Sequence, residues 1–464
     1  MGKSDTNYTR LKPFLFGAIA FQALILVFTQ FTAWPEMTLW PYLVLKGWLP
    51  YRDIAIAHNP ILVFDLAVFH KLFGIGVFQL KLYTWLYIFL TEYLLFFVVE
   101  RVINKKYAAL STVAYIFLQY FYLGNGLWFD LALTPFVLLT FYFVYEKKWF
   151  WSGVFWSLAF FCKQTAIWFL PAISISWLVF NKWSLSNVIK CKLHFLLGVV
   201  CISLPIIFVF YLLGILPNYL YWAYKFGIFT LPKQTGQILL PTVKQFMISL
   251  VPFFVSLIAV FSVKEERKKA VVLFAWSVFG IAGAYPRWEL FHFQPGIPFI
   301  AISFGIILFN YKKLNRKYRI LGVVIISAFL LMFLRKVFTD WGKQTRFYDN
   351  SVKEVVEYVK YRVPSGGNIL VVNSWDNIYA LTNTLPSTNP WTPQLQWYLN
   401  QPGVGESISK SLNENPPKVI IAWPYQEKGL GSERVGPIDD FISLHYKLVD
   451  NVSGYLVYLR INYQ

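Results

Sequence analysis

A few ionisable groups stand out in this chain because apolar sequence surrounds them. Glu36, Arg52, Asp53 and His58 fall in the stretch 34–74, between two apolar runs. Asp130 lies in GNGLWFD, Lys163 and Gln164 interrupt FFCKQTAIW, and Arg287, Glu289 and His292 occupy AYPRWELFHFQPGIP. Ionisable groups beside a bilayer are costly unless they pair or work. These types suit the displacement of an anionic leaving group. Lys163, Arg287, Arg52 and His292 are cations or potential cations that would stabilise a growing negative charge, as a phosphate leaving group requires. An attacking hydroxyl needs a base within hydrogen-bond reach, and Asp53, Glu36 and Asp130 are the candidates. His58, Gln164 and Glu289 are candidates for further substrate contacts.

The elements that must position these groups are apolar helices. Hydrophobic residues make up 57% of the 464 and charged residues 14%, against about 25% charged in a soluble domain; the mean hydropathy is +0.50. Aromatics at 20% suit a chain with Trp and Tyr at headgroup level. Runs near the ~20-residue spanning length fall at 13–33, 78–99, 107–123, 128–145, 149–162, 165–181, 193–213, 240–262, 270–285, 293–309 and 320–337. This predicts an all-α polytopic membrane bundle of about eleven transmembrane helices.

The net charge of +19 fits the same reading. Basic residues gather in alternate loops, among them Lys3, Arg10 and Lys12; Arg101, Lys105 and Lys106; Lys147 and Lys148; Lys182, Lys190 and Lys192; Lys264, Arg267, Lys268 and Lys269; and Lys312, Lys313, Arg316, Lys317 and Arg319. By the positive-inside rule these loops are cytoplasmic. The charge then has no need of a nucleic-acid partner. The expected place is the plasma (inner) membrane, multi-pass, with the N-terminus cytoplasmic and the C-terminal domain extracytoplasmic. The first run is long for a signal-peptide core and lacks a small-residue cleavage site, so it reads as an uncleaved targeting span. Cys162, Cys191 and Cys201 offer neither a disulfide framework nor a CxxC metal site.

Composition changes after Arg335 and Lys336. Over 345–464 a helical pattern at 351–363 is followed by PSGG and the strand NILVVN. A second helical pattern, a Pro-Pro break and the strand KVIIAW come next, and the tail FISLHYKLVDNVSGYLVYLRIN reads as a hairpin. This predicts a small C-terminal extracytoplasmic α/β domain after a membrane domain over 1–340. It has no Gly-rich phosphate loop. Within the first outer loop, 34–77, EMTLWPYLVLKG and NPILVFDLAVFHKLFG suit short interfacial helices. Asp53 and His58 then sit on an irregular segment between Pro50 and Pro60.

On this topology the candidate residues share the outer face. A transporter would place functional charges near the midplane, where Glu92 is the main exception and reads as a structural partner, for instance of Lys81. The outer face lacks nucleotide sugars, so an activated donor there would be carried on a lipid. The residues therefore point to glycosyl transfer from a lipid phosphate. Plainer readings stand beside this one. Asp53 would pair with Arg52 or Lys46, Asp130 would cap the fourth span, and Arg287 and Glu289 would form an interfacial pair. The rival functions are a transporter or flippase of a lipid-linked glycan, and a noncatalytic scaffold displaying the outer domain.

These residues also carry a family resemblance. An acid soon after the first span (Glu36) is followed by Gly47-Trp-Leu-Pro-Tyr-Arg-Asp53 and His58-Asn-Pro60. Asp130 comes in the next outer loop, then Lys163-Gln164 after SGVFWSLAFFC, then Arg287, His292 and Pro298. In this order the chain resembles the integral-membrane glycosyltransferases of the C superfamily (GT-C fold), in particular the bacterial and archaeal relatives of dolichyl-phosphate-mannose protein mannosyltransferases and of lipid A aminoarabinose transferases. The resemblance covers most of 1–340. It implies transfer of a hexosyl or pentosyl unit from a polyprenyl-phosphate donor to a protein, lipid or glycan acceptor at the outer face. Where that family often has paired acids after the first span, this chain has Pro35-Glu36. No tightly bound cofactor is expected. The metal requirement varies across the superfamily, and no His/Cys cluster here indicates a divalent metal.

Overall fold

The computed structural model describes residues 5–181, 184–234, 236–425 and 436–461; Lys3 and Lys182 lie outside the described residues. The chain opens with α1 (Asp5–Phe28) and two short helices, α2 (Pro35–Leu45) and α3 (Ile61–Phe73). A helical series follows: α4 (Val77–Val102), α5 (Lys105–Phe121), α6 (Phe129–Tyr145), α7 (Trp149–Cys162), α8 (Phe169–Phe180), α9 (Leu185–Leu212) and α10 (Leu216–Tyr219). After a π-helical turn over Leu220–Thr230 come α11 (Val243–Ser262), α12 (Arg267–Ile281), α13 (Ile297–Phe309) and α14 (Arg316–Asp340). The remainder is α15 (Asn350–Arg362), β1 (Asn368–Val372), α16 (Asn377–Thr382), β2 (Leu385–Pro386), α17 (Gln396–Leu399), α18 (Val404–Glu414), β3 (Val419–Ala422), α19 (Gly436–His445), β4 (Tyr446–Val452) and β5 (Tyr455–Arg460).

The apolar runs fold as helices; among the described residues five meet the length and composition of a membrane crossing, against the eleven expected. Val77–Val102, Ser186–Leu212, Val243–Ser262, Leu290–Phe309 and Arg316–Asp340 are long and apolar enough. Pro13–Phe28, Phe129–Tyr145, Trp149–Cys162 and Gln164–Phe180 are apolar but shorter. Polar residues shorten some of them: α6 begins one residue before Asp130, and α7 ends at the residue before Lys163.

Two compact units emerge. The first comprises 1–30, 84–208 and 238–343. Its centre is the continuous helical stretch Leu290–Phe309, 94% of whose span is buried, whereas Ser186–Leu212 is only 11% buried and lines the periphery. Helices meet here through small residues, as expected where no hydrophobic drive separates helix from lipid. A β-carbon on Gly305 of α13 would lie 2.3 Å from the Ser111 hydroxyl of α5, and Asn310 donates to the Tyr107 hydroxyl at 2.9 Å. Gly280 of α12 lies against Gly296 at the head of α13, where an added β-carbon would come within 2.4 Å of backbone. The contact of α7 with α9 is reciprocal: a β-carbon on Gly153 would lie 2.0 Å from the Phe195 carbonyl, and one on Gly198 would lie 2.0 Å from the Phe150 carbonyl.

The second unit comprises 31–83, 209–237 and 344–464, so contacts group the first long loop with the C-terminal domain rather than with the helical bundle. Its five-stranded sheet has the order β2-β1-β3-β5-β4, with β2-β1-β3 parallel and β3-β5-β4 antiparallel. β3 is buried at every position, as a strand covered on both faces requires. Leu370, Val372, Ile408, Leu412, Ile420, Ile438 and Phe441 form the core between sheet and helices. β1, β3 and the hairpin coincide with the sequence expectation, except that FISLH is the end of α19 and the hairpin begins at Tyr446; the short strand β2 was not expected. Ser453 and Gly454 both take positive φ, the requirement of a two-residue hairpin turn.

The close approach of α7 and α9 yields a prediction. Gly198→Leu forces two backbones apart and should destabilise by about 1–3 kcal/mol or more. Leu196→Ala, at a side chain with 55% exposure, should not. Thermal melting of the detergent-purified proteins checks the difference.

Candidate active site

Three breaks in apolar helices bring three charged side chains together in the first unit. Asp130 sits in the first turn of α6, Lys163 on the extended residue after α7, and His292 in the 3-10 turn Leu290–Gly296 that leads into α13. One oxygen holds the other two residues: Asp130 Oδ2 accepts from Lys163 Nζ at 2.5 Å and contacts His292 Nδ1 at 2.7 Å. Lys163 Nζ and His292 Nδ1 are 3.1 Å apart. Two acceptors at 2.7 Å would repel, so Nδ1 carries a hydrogen and donates it to Oδ2. The trio is buried, with Asp130 0%, Lys163 4% and His292 8% exposed. Asp130 Oδ1 is also buried and has no hydrogen-bond partner among the described residues. A buried polar atom left without a partner costs about 1–3 kcal/mol, so this oxygen is placed to accept a hydrogen bond from something else.

Each break is secured locally. The Trp156 indole donates to the Ala166 carbonyl at 3.0 Å, which fixes the 3-10 turn Gln164–Trp168 after Lys163. Gln294, two residues after His292, donates to the carbonyls of Gln119 and Tyr122 at 3.0 and 2.9 Å. Gln119 in turn donates to the Gly124 carbonyl at 2.9 Å, and Asn125 donates to the Leu26 carbonyl at 3.0 Å. The turn before Asp130 is therefore tied to α1 and α5. A β-carbon at Gly124 would collide with Gln119 at 2.0 Å, so the glycine is obligatory there.

Glu289 lies beside the trio: the His292 amide donates to its carbonyl at 3.1 Å, and its carboxylate interacts electrostatically with the imidazole. Arg287 Nε pairs with Glu289 Oε1 at 2.9 Å, the interfacial pair of the plainer reading. Its segment is pinned by the Leu239 amide donating to the Pro286 carbonyl and the Trp288 amide donating to the Leu239 carbonyl. Gln164 is half-buried beside Lys163. Glu92 does not pair with Lys81. Eleven residues separate them on α4, about 16 Å along the axis, and both Glu92 oxygens are buried without a hydrogen-bond partner.

In the second unit Asp53 is fully engaged. Its Oδ1 accepts from Arg52 Nε at 2.8 Å, and its Oδ2 from Arg52 Nη2 at 2.9 Å and from the Leu49 amide at 2.8 Å. Neither Asp53 as a free base nor Arg52 as a free phosphate ligand is therefore displayed; the pair closes the turn 49–53. The strand-like segment beyond it exchanges backbone bonds with Trp391, and the Tyr51 hydroxyl donates to the His58 carbonyl at 2.9 Å. Glu36, in the first turn of α2, keeps one buried oxygen without a hydrogen-bond partner. Burial pushes its carboxyl above the ordinary carboxylate range.

Sequence reading missed Asp376, which precedes α16. α2 packs on α16, and the Tyr42 hydroxyl donates to the Thr384 carbonyl at 2.8 Å. Burial, and then the charge of Glu36, push the Asp376 carboxyl well up. The available signal was an acid just past the end of the strand NILVVN. Gln119, Asn125 and Gln294 were missed too, because amides inside apolar runs read as packing. Among the described residues, no three His, Cys, Asp or Glu side chains cluster as a metal-ligand set.

Over residues 57–211 the sequence matches the family model described as dolichyl-phosphate-mannose-protein mannosyltransferase. That stretch includes His58, Asp130, Lys163 and Gln164. No curated protein sequence matches the chain. Among solved structures, ArnT from Cupriavidus metallidurans bound to undecaprenyl phosphate is similar with a TM-score of 0.67 at 12% identity, over 99% of both chains. The Archaeoglobus fulgidus oligosaccharyltransferase tethered with an acceptor peptide gives a TM-score of 0.50 at 10% identity, over 97% of this chain and 74% of that one. The arabinofuranosyltransferase AftD from Mycobacteria gives 0.54 at 12% identity, over 97% of this chain and 41% of that one. These likenesses establish a shared fold.

Two predictions follow from the acids. Lys163→Met leaves the Asp130 carboxylate buried beside His292 alone and should cost about 3–5 kcal/mol. Adding Asp130→Asn should recover part of that loss, which a double-mutant cycle on thermal stability reads. The Glu36–Asp376 pair has raised affinity for protons in the folded state, so folding loses stability as pH rises above the unfolded carboxylate range near about 4. Asp376→Asn should therefore melt above wild type at neutral pH, and the difference should vanish as pH falls through that range.

Proposed function

We propose, from the premise that the chain is a C-superfamily membrane glycosyltransferase related to the protein mannosyltransferases and to ArnT, that it moves one sugar from a polyprenyl-phosphate carrier to a hydroxyl or amine of a protein, lipid or glycan. The observation that carries this reading is the Asp130 carboxylate, with one oxygen held by Lys163 and His292 and the other buried and unpartnered.

In the reaction, the bond between the sugar's anomeric carbon and the phosphate oxygen breaks, and a new bond forms to the acceptor atom. The acceptor's proton leaves, and the phosphate departs on its lipid with the electron pair. Asp130 Oδ1 orients or deprotonates the acceptor group. Lys163 Nζ stabilises the negative charge that grows on the phosphate, and His292, donating from Nδ1 to Asp130 Oδ2, holds that carboxylate in place; such preorganised charge is most effective where water is excluded. Asp53, with both oxygens engaged, holds its loop rather than acting as base. Glu36 is the second candidate base. The natural setting of this reading is the plasma membrane, with the N-terminus cytoplasmic and the reaction on the outer face.

The test reconstitutes the protein in liposomes with a panel of polyprenyl-phosphate sugars and follows free polyprenyl phosphate by mass spectrometry. Wild type should release it. Asp130→Asn should lower the rate about 10²-fold or more, the range for a positioned acid or base, when assayed below its own melting transition, which the loss of the buried ion pair also lowers. Glu36→Gln run beside it reads the rival base. No release from any donor, together with lipid scrambling by the same liposomes, would replace this reading with a flippase.

A further inference from the structure

A basic and apolar surface lies at the far end of the bundle from the acid trio. Tyr311, Arg316, Arg319, Ile320, Val323 and Val324 line a cleft of about 410 Å³ where α14 begins. Neither arginine has a carboxylate within 4.0 Å among the described residues, whereas the neighbouring Lys313 is paired with Glu265 at 3.1 Å. Arg319 rests over the Tyr311 ring at 5.9 Å, and its Nε is buried without a hydrogen-bond partner. The wall below the arginines is apolar and open, with Ile320 55%, Val323 45% and Val324 57% exposed.

This end is remote from the trio. The helical path from His292 through α13 to Asn310, beside Tyr311, is 18 residues, or about 27 Å, close to the thickness of a hydrocarbon core. The opposite end of α14 lies near the trio: Asp340 accepts from the Tyr120 hydroxyl at 2.9 Å, and the nearby Tyr122 carbonyl accepts from Gln294.

We propose that this cleft binds an anionic glycerophospholipid, its phosphate between Arg316 and Arg319 and an acyl chain along Ile320, Val323 and Val324. Two unpaired guanidiniums above an apolar wall match a phosphodiester carrying a hydrocarbon chain. Arginine's planar fork suits phosphate oxygens, and basic pockets at the ends of membrane helices recognise lipid headgroups in this way. A free phosphate would leave the apolar wall uncovered. The distance from the trio separates this lipid from the sugar donor, so the site stands independently of the proposed reaction.

Native mass spectrometry of the full chain, purified in detergent and titrated with phosphatidylglycerol or phosphatidylcholine, tests it. Wild type should retain phosphatidylglycerol at least tenfold over phosphatidylcholine, and millimolar inorganic phosphate should not displace it. Arg316→Gln with Arg319→Gln should lose that preference, while Arg316→Lys with Arg319→Lys, which keeps the charge but not the planar fork, retains only part of it. Equal retention of the two lipids by wild type, unchanged retention by the glutamine variant, or displacement by inorganic phosphate would overturn the proposal. Should the glutamine variant fail to fold, Ile320→Gln with Val324→Gln reads the acyl half of the site, and undiminished retention there would overturn it equally.

Discussion

A single carboxylate oxygen organises the first unit. Asp130 Oδ2 is the meeting point of Lys163 and His292, and each of the three comes from a place where an apolar helix starts, stops or tightens into a 3-10 turn. Buried charges are tolerated only when paired with good geometry, and that demand propagates outward. Gln294 must tie the His292 turn to α5, Trp156 must fix the break after Lys163, and Gly124 must let Gln119 reach the turn before Asp130. α6 and α7, at 17 and 14 residues, are shorter than the five helices that reach spanning length among the described residues.

The second unit uses its acids differently. Arg52 and the Leu49 amide consume Asp53 to close a turn, and the segment beyond is stitched to Trp391. Among the described residues neither Glu36 nor Asp376 has a cation within salt-bridge distance, and burial makes both hold protons more tightly than ordinary carboxyls. Side by side, the two units contrast a carboxylate kept charged by its neighbours with carboxyls that burial pushes toward neutrality.

Much of this was legible in the chain. Asp130, Lys163 and His292 were visible because each interrupts an apolar run, and an interruption that a bilayer penalises needs a reason. The strands at 368–372 and 419–422 announced themselves as short apolar runs bounded by Gly or Pro, and the Ser-Gly turn announced the hairpin. The rest depended on contacts that sequence order conceals. Nothing in the sequence showed that Asp53 is held by both Arg52 and the Leu49 amide. Asp376 and Glu36 are 340 residues apart in the chain, and no local pattern connects them. The grouping of 31–83 with the C-terminal domain is likewise a long-range fact, written in pairs such as Tyr42 with Thr384. Run length counts residues on both sides of a break that the backbone treats as separate helices, so among the described residues fewer helices reach a full span than the eleven runs suggested.

The order of the trio along the chain also bears on biogenesis. Asp130 and Lys163 are 33 residues apart on neighbouring helices, whereas His292 follows Lys163 by 129 residues. The ion pair can close within one helical hairpin as that hairpin emerges from the ribosome. Two charges that would each resist entry into the bilayer then enter as a neutral unit. The histidine arrives later, onto a carboxylate already neutralised, and completes a site whose costliest component has been inside the membrane since the first third of synthesis.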